Sequence, residues 1–174
     1  MAFHSLLDEA LEAWQYTRAG VISEIRNLPD VSLMNHRPAT NSRTPAEIAM
    51  HIVESGLMMA GELSRPDGNF RRKSFPQFMK EYTKGLKPAA NKKQLIQLLT
   101  KTREDGEKQI RAAGELHFLQ YITRFDGEQG TRLAWMNHGI AHEEYHRGQI
   151  ALYARLVGRV PALTQLIYGK RSSA

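Results

Sequence analysis

Three of the seven histidines in the chain recur at four-residue intervals, at His138, His142 and His146. On an α-helix, which rises about 1.5 Å per residue, this spacing places each ring one turn above the last on nearly the same face. Two imidazoles one turn apart can bind a single divalent ion at nitrogen–metal distances of about 2.0–2.1 Å. The outer two rings would be separated by roughly 12 Å of helix. The spacing therefore predicts one clamp, formed either by His138 and His142 or by His142 and His146.

A metal site built on this clamp needs a third ligand from another helix, and His51 is the natural candidate. It lies among Ile48, Ile52 and Ser55 on the predicted buried stripe of an earlier helix. Ligands from facing helices are a known way to build metal sites inside bundles. A lone inward histidine is more commonly a hydrogen-bonded core residue, so the metal hypothesis depends on the rings meeting. The remaining histidines have no partner at helical spacing and are expected on the surface or in loops: His4, His36 and His117.

Polar residues beside the clamp give weaker signals. Gln149 follows the last histidine by three residues, where it can orient a ligand or a bound water. Glu143 and Glu144 lie off the histidine face, so we expect them to be solvated or paired with Arg147. Gly148 costs about 1 kcal/mol relative to alanine inside a helix, which predicts close approach of another backbone.

The letters from His142 to His146 also spell HExxH, the zinc-binding motif of a class of metalloproteases. In that class the glutamate after the first histidine, here Glu143, is the general base. The chain supplies no downstream third ligand of that class nearby, and its helix pattern is that of a bundle. A zinc protease is therefore disfavoured.

Apolar periodicity predicts an all-α protein, a four-helix bundle that forms a single domain over residues 1–174. The helix ends carry clear signals: a Thr44 cap with Glu47 three residues later, an Asn91 cap with Gln94, and Gly158 after the last long helix. The predicted long helices span about 4–27, 45–61, 92–113 and 131–157. The last is expected to bury the face that carries its histidines, which comprises Trp135, His138, His142, Tyr145, His146, Gln149, Leu152 and Tyr153.

The segments between the long helices are less regular. The connection over residues 64–90 is long and mostly polar, and such connections often cover functional sites. It holds a predicted short helix near 76–83. Residues 115–130 predict a short strand pair closed by the turn DGEQG, and a further short helix is expected over 162–167.

Composition describes a globular protein and excludes several chemistries. The chain has 174 residues, of which 41% are hydrophobic and 24% charged, which suits one domain with its own core. It contains no cysteine, which excludes disulfides, thiolate metal sites and a cysteine nucleophile. No segment approaches the roughly 18 apolar residues of a membrane helix, and the acidic start of the chain is unlike a signal peptide. We therefore expect a cytoplasmic protein that does not enter a membrane.

The net charge of +6 is concentrated in the middle of the chain, where residues 61–124 hold 14 basic and 7 acidic side chains. A basic segment can bind nucleic acid, although a solvated face rich in lysine is the more common explanation. Nucleic-acid binding therefore stays an alternative that we consider weak.

Specific motifs of the chain resemble the DinB/YfiT-like superfamily along nearly its whole length. They are the capped helix start at residues 44–47 followed by His51, the run from His138 to Gln149 that ends in HRGQ, and the tail at residues 167–170. The resemblance implies a four-helix bundle, often dimeric, with a divalent metal held by three histidines. Carried over by position, these ligands are His51, His142 and His146. The residues that would line or support the site are His138, Tyr145 and Gln149.

The superfamily includes thiol-dependent transferases and isomerases that use low-molecular-weight thiols such as bacillithiol or mycothiol. The resemblance thus implies a metal-dependent enzyme that acts with such a thiol and binds a small-molecule ligand. Zinc or nickel is the expected metal, with iron or manganese as alternatives. Three adjacent charges in the long connection, Arg71, Arg72 and Lys73, are candidates for binding a carboxylate on the thiol. The alternative is a non-enzymatic stress-response protein, with a structural metal site or weak affinity for nucleic acid.

Overall fold

The computed structural model describes residues 5–169 and confirms a helical architecture with a short strand pair. Sequence predictions that fall on His4 and Lys170 lie outside these residues. The strands β1 (Tyr121–Thr123) and β2 (Gln129–Thr131) pair antiparallel, as expected. The helices are α1 (Leu6–Asn27), α2 (Asp30–Asn35), α3 (Pro45–Leu63), α4 (Phe75–Tyr82), α5 (Lys92–Ala113), α6 (Glu115–Phe118), α7 (Arg132–Leu156) and α8 (Ala162–Tyr168).

The four long helices form the bundle. Helix α1 packs against α5 and α7, and α3 packs against the same two helices. The short helices attach to this frame, with α4 against α3 and α8 against α1. This arrangement sets α3 and α7 side by side, which is the condition for a metal site shared between them.

The predicted helix starts are confirmed by their caps. Thr44 and Glu47 form a reciprocal capping box at the start of α3, with Pro45 in the first turn. The Asn91 side chain accepts a hydrogen bond from the backbone of Gln94 at the start of α5. These caps satisfy backbone N–H groups that have no partner within the helix, so the ends of the helices could be read from local sequence.

Two short helices were not expected. The chain leaves α1 in an extended conformation at Leu28. A new helix, α2, starts directly after Pro29 and is anchored by the fully buried Leu33. Residues 115–118 form α6 instead of strand, with Phe118 fully buried. In both places, burial of one apolar side chain favours a helical turn that the local pattern did not indicate.

A buried polar layer lies between two apolar clusters of the core. One cluster includes Ile25 and Ile150, and the other includes Leu11 and Met136. Arg18 of α1 and Glu143 of α7 lie between these two clusters along their helices. Both are less than 5% exposed, and they form an ion pair with each other. The Arg18 guanidinium also donates to Leu99 O of α5 at 2.7 Å. The pair therefore ties three long helices together at mid-height of the bundle.

The inner face of α7 differs from the predicted one. Its buried line runs through Met136, Ile140, Glu143, Ile150 and Ala154. The prediction is right for His146 and Tyr153, which are both buried. His138, Tyr145 and Leu152 are exposed and His142 is half-buried, so the rest of the predicted face lies beside the buried line. The error arose because a buried glutamate interrupts the true apolar stripe and makes it look polar.

Acidic partners are available to many cations of the basic middle segment. The pairs include Lys73–Glu81, Lys101–Asp105, Arg103–Glu107, Arg111–Asp8 and Arg124–Asp126. These contacts reduce the positive field that suggested nucleic-acid binding. Among the described residues, no helix has the length and apolar character required to span a bilayer.

Candidate metal centre

Three histidine rings from two helices meet at one point of the bundle. His51 lies on α3, and His142 and His146 lie one turn apart on α7. The ring centroid of His51 is 5.2 Å from that of His142 and 4.9 Å from that of His146. One ring nitrogen of each residue lies within 4.8 Å of those of the other two. The structure thus brings together all three residues that the sequence proposed as ligands.

The two histidines of α7 are close enough to share one ion. Their Nε2 atoms are 3.0 Å apart, and two nitrogen ligands of a tetrahedral zinc ion lie roughly 3.3 Å apart. Gln149 Oε1 lies 2.8 Å from His146 Nδ1. Because a carboxamide oxygen can only accept, Nδ1 carries the proton and Nε2 keeps its lone pair. The donor set therefore fits a divalent ion, and Gln149 lies where an orienting residue was expected.

Electrostatics favour the neutral form of the rings. Burial, together with weaker repulsion from His146, His142 and Arg43, lowers the pKa of His51 from its ordinary 6.5 to about 4. Burial is also the main reason that the pKa of His142 is lowered, followed by repulsion from His146 and Arg43. Both rings are thus neutral at pH 7, which is the form that binds a metal ion.

Of the two clamps that the spacing left open, the structure assembles His142 with His146. The exposed His138 ring instead packs against Trp135, with centroids 5.1 Å apart. Tyr145 is also exposed, and its ring meets that of His146 edge-on at 5.2 Å. Neither His138 nor Tyr145 therefore belongs to the group of converging histidine nitrogens.

The other described histidines have structural contacts. His36 is half-buried and its ring meets Tyr153 edge-on at 5.9 Å. His117 lies in α6, and its Nε2 is 2.9 Å from Leu63 O at the end of α3. The expectation of a surface or loop position was therefore wrong for His117, which links two helices.

Glu143 occupies a different environment from the one expected. It is 4% exposed, and its carboxylate accepts hydrogen bonds from Nε and Nη2 of Arg18 and, at 3.1 Å, from Trp14 Nε1. A carboxylate held by three donors is not poised as a general base, so the HExxH letters carry no protease chemistry here. One signal was available: Arg18 lies four residues after Trp14 on the buried stripe of α1. Glu144, in contrast, pairs with Arg147 at 2.9 Å, as expected.

The close approach expected at Gly148 is absent, since no atom lies within 4 Å of the position of an added Cβ. Tight packing occurs instead at other glycines, two of which lie beside the candidate centre. An added Cβ at Gly56 would lie 2.9 Å from Arg18 Nη2, and one at Gly139 would lie 2.3 Å from Met59 Sδ. Both glycines lie beside the candidate centre, where they make room for the buried guanidinium and for a methionine.

A cavity of about 220 Å³ opens beside His142, between α3 and α7. Its apolar walls consist of Ile52, Met58, Met59, Phe75 and Trp135, and its polar lining includes Ser55, His138 and Glu143. Because His142 belongs both to the cavity and to the histidine cluster, a molecule in the cavity lies next to the candidate centre.

The long connection helps to build this cavity, as its length suggested. Phe75 at its short helix lines the wall. Phe125, in the turn between β1 and β2, contacts both Phe75 and Trp135 at centroid distances of 5.6 and 5.8 Å. Backbone hydrogen bonds join the connection to β1, from Phe70 N to Thr123 O at 3.0 Å. The sequence did not reveal that these distant aromatic residues form one wall.

Two of the three adjacent charges in the connection have internal partners. Arg72 donates to the buried Glu62 at 2.6 and 3.2 Å. Lys73 pairs with Glu81 at 2.8 Å. A carboxylate ligand would have to compete with these ion pairs, so the structure does not favour this run as an anion site.

The fold and the histidine cluster define a helical-bundle protein with a donor set suited to a divalent ion beside an apolar cavity. The chain belongs to the DinB superfamily, whose family model matches residues 13–150, a range that includes all three clustered histidines. Among curated proteins, no sequence matches the chain.

Solved structures support the fold. The DinB-like protein YjoA from Bacillus subtilis is 17% identical, with a TM-score of 0.65 over 87% of this chain and 93% of its own. YfiT from Bacillus subtilis is 15% identical, with a TM-score of 0.67 over 91% of this chain and 94% of its own. YfiT is described as a probable metal-dependent hydrolase with an unusual four-helix bundle topology. At this level of identity the likeness concerns the fold, and the predicted four-helix bundle is confirmed.

Proposed function

We propose that this protein is a divalent-metal-dependent enzyme in which His51, His142 and His146 hold the ion. The observation that carries the proposal is the meeting of one nitrogen from each ring within 4.8 Å. Three histidine ligands with an open fourth position are typical of catalytic zinc sites, whereas structural sites are closed by four protein ligands. Zinc or nickel is the expected metal, with iron or manganese as alternatives.

A bound ion of this kind supplies Lewis acidity and makes a coordinated water or thiol easier to deprotonate near neutral pH. The chain's own residues prepare the site. Gln149 accepts a hydrogen bond from His146 Nδ1–H, which leaves Nε2 as the nitrogen that can bind a metal ion. Burial keeps His51 and His142 neutral. The cavity beside His142 has mostly apolar walls and can hold the apolar part of a substrate.

For the reaction, we propose transfer to a low-molecular-weight thiol. The chain has no cysteine, so any thiol must be an external cofactor or substrate, and thiol transfer is the chemistry that the family resemblance implies. Metal-dependent hydrolysis is the second candidate, because the structurally similar YfiT is described as a probable hydrolase. Low-molecular-weight thiols are kept reduced in the cytoplasm, and we propose that compartment for the protein.

The two reactions can be separated by assaying the chain after loading with Zn²⁺, Ni²⁺, Fe²⁺ or Mn²⁺. Thioether formation from bacillithiol or mycothiol and monobromobimane tests transfer, and p-nitrophenyl acetate tests hydrolysis. We expect metal-dependent thioether formation that is lost in His142→Ala. Hydrolysis without thiol consumption would favour the second candidate. Loaded protein with neither activity would contradict the enzyme proposal and leave a structural metal site.

We also propose a homodimer, which the resemblance implies. Exposed apolar residues follow one side of α7, at Tyr145, Leu152 and Leu156, and such a row is typical of a surface that packs against a partner. Analytical ultracentrifugation should show twice the 19.8 kDa mass of the chain, and Leu152→Glu should produce monomer. A monomeric wild-type protein at high micromolar concentration would contradict the proposal.

A further inference from the structure

We propose that the cavity beside His142 is a subsite for a compact aromatic or branched apolar group that carries one hydrogen-bonding atom, which Ser55 recognises. The inference rests on the proposed function for its position next to the metal centre. It goes further by naming the substrate class, which the choice between transfer and hydrolysis leaves open.

The size of the cavity limits what can enter it. Its volume is about 220 Å³, whereas an engineered apolar cavity of about 150 Å³ binds benzene. The space therefore admits one six-membered ring with a small substituent, and it is too small for a group of several fused rings.

The walls select for apolar groups. Met58 and Met59 offer flexible thioether side chains that adapt to the shape of a ligand. Trp135 and Phe75 line the same cavity and offer aromatic surfaces that contact a ring favourably at an edge or an offset face. A charged group would lose its hydration against these walls, so the part of the substrate that enters is neutral.

Ser55 lines the cavity and has a polar atom without a hydrogen-bond partner. Its hydroxyl is buried and makes no hydrogen bond, although serine in a helix commonly bonds the carbonyl four residues earlier. Buried polar atoms are nearly always paired, so an unpaired one needs an explanation. Because Ser55 lines the cavity and its hydroxyl is one rotatable bond from the backbone, rotation about Cα–Cβ would turn the hydroxyl towards a ligand.

The position of Ser55 also sets the orientation of the ligand. Ser55 follows His51 by four residues, so the two side chains lie one turn apart on the same side of α3. A ligand atom bonded to Ser55 is therefore held close to the histidine cluster, while the ring lies among the methionines and Trp135.

Binding can be measured on the metal-free protein by NMR of ¹³C-methyl methionine, with benzyl alcohol and toluene as probes. Both contain one ring, but only benzyl alcohol has a hydroxyl group. We expect saturable shifts of the Met58 and Met59 methyl signals with both probes. Met34 and Met50 line a separate groove and serve as controls. Shifts at Met34 and Met50 alone, or no shifts at millimolar probe, would overturn the inference.

The Ser55→Ala variant tests the recognition of the polar atom. Loss of one hydrogen bond should weaken benzyl alcohol binding by roughly three- to tenfold and leave toluene binding unchanged. Unchanged signals of the core residue Met136 would show that the variant is folded. Equal effects on the two probes would overturn the role of Ser55.

The His51→Ala variant separates this inference from the proposed function. It should lose metal binding and retain probe binding. If the wild-type protein binds no metal but binds both probes, the proposed function fails and the apolar subsite stands. If it binds metal but neither probe, the subsite fails and the metal proposal stands.

Discussion

Two polar clusters share one turn of α7 and differ in how completely their atoms are bonded. The carboxylate of Glu143 accepts three hydrogen bonds, from Arg18 and Trp14. The adjacent His142 contributes instead to a group of imidazole rings whose nitrogens approach one another at an open cavity. The Glu143 cluster uses its polar atoms to hold helices together. The histidine cluster keeps lone pairs available for a ligand.

The difference follows from the direction in which each side chain leaves the helix. Successive residues on an α-helix point about 100° apart, so His142 and Glu143 reach different neighbours. Glu143 points into the core between α1 and α5, where the guanidinium of Arg18 neutralises its charge. His142 points along the border between α3 and solvent. A cluster whose polar atoms are all hydrogen-bonded therefore stabilises the fold, whereas one with unpaired nitrogens is suited to binding a ligand.

The largest expected effect is on stability. Glu143→Ala leaves the buried Arg18 without its counter-charge and should lower the free energy of unfolding by about 3–5 kcal/mol, measured by urea denaturation. Glu144→Ala is the matched control, because its partly exposed pair with Arg147 is worth at most about 1 kcal/mol. The apolar double variant Arg18→Met/Glu143→Leu should recover much of the loss. A Glu143→Ala protein as stable as Glu144→Ala would show that the buried cluster does not stabilise the fold.

The second effect is on metal affinity. His146→Ala removes a ligand and should weaken Zn²⁺ binding by more than about 100-fold in calorimetric titration, which exceeds the usual effect of removing a supporting residue. The exposed His138 provides the control, and His138→Ala should bind as the wild type does. If His138→Ala weakens binding as much as His146→Ala, the other clamp is the correct one.

A third, smaller effect is expected at Gln149. Gln149→Leu removes the acceptor that fixes the ring of His146, and Zn²⁺ affinity should fall by roughly 10- to 100-fold. Gln149→Glu keeps an acceptor at this position and should rescue the affinity. Equal losses in both variants would indicate that Gln149 acts through packing and not through its hydrogen bond.

The smallest expected effect is a dependence of stability on pH in the metal-free protein. His51 takes up a proton near pH 6.5 when unfolded but only near pH 4 when folded. Between these values the unfolded state binds more protons, so the melting temperature should fall as the pH falls from about 6.5 towards 4. His51→Gln should show a shallower decrease in melting scans by circular dichroism. A variant with the wild-type slope would assign the pH dependence to other groups.

Much of the helical framework could be predicted because its signals are local. Residues 92–113 carry a cap, a periodic stripe and a terminal glycine, and α5 has these bounds in the structure. The positions of α3 and α7 along the chain, and the start of α3 after its Thr44 cap, were predicted from local sequence in the same way. The inner face of α7 could not be read so directly, because Glu143 is buried only through Arg18, which lies in another helix.

Local sequence was sufficient to predict where the long helices form and that His142 and His146 lie on the same side of their helix. Both features depend on nearby residues, through hydrogen bonds and periodicity within a helix. It also pointed to His51 through its place on an apolar stripe. The three-dimensional structure was needed to show that His51 meets the other two rings, that Glu143 turns to the core, and that Phe75 and Trp135 enclose a cavity. These contacts join residues far apart in the chain, and they form only when the packing of whole helices sets their relative height and rotation.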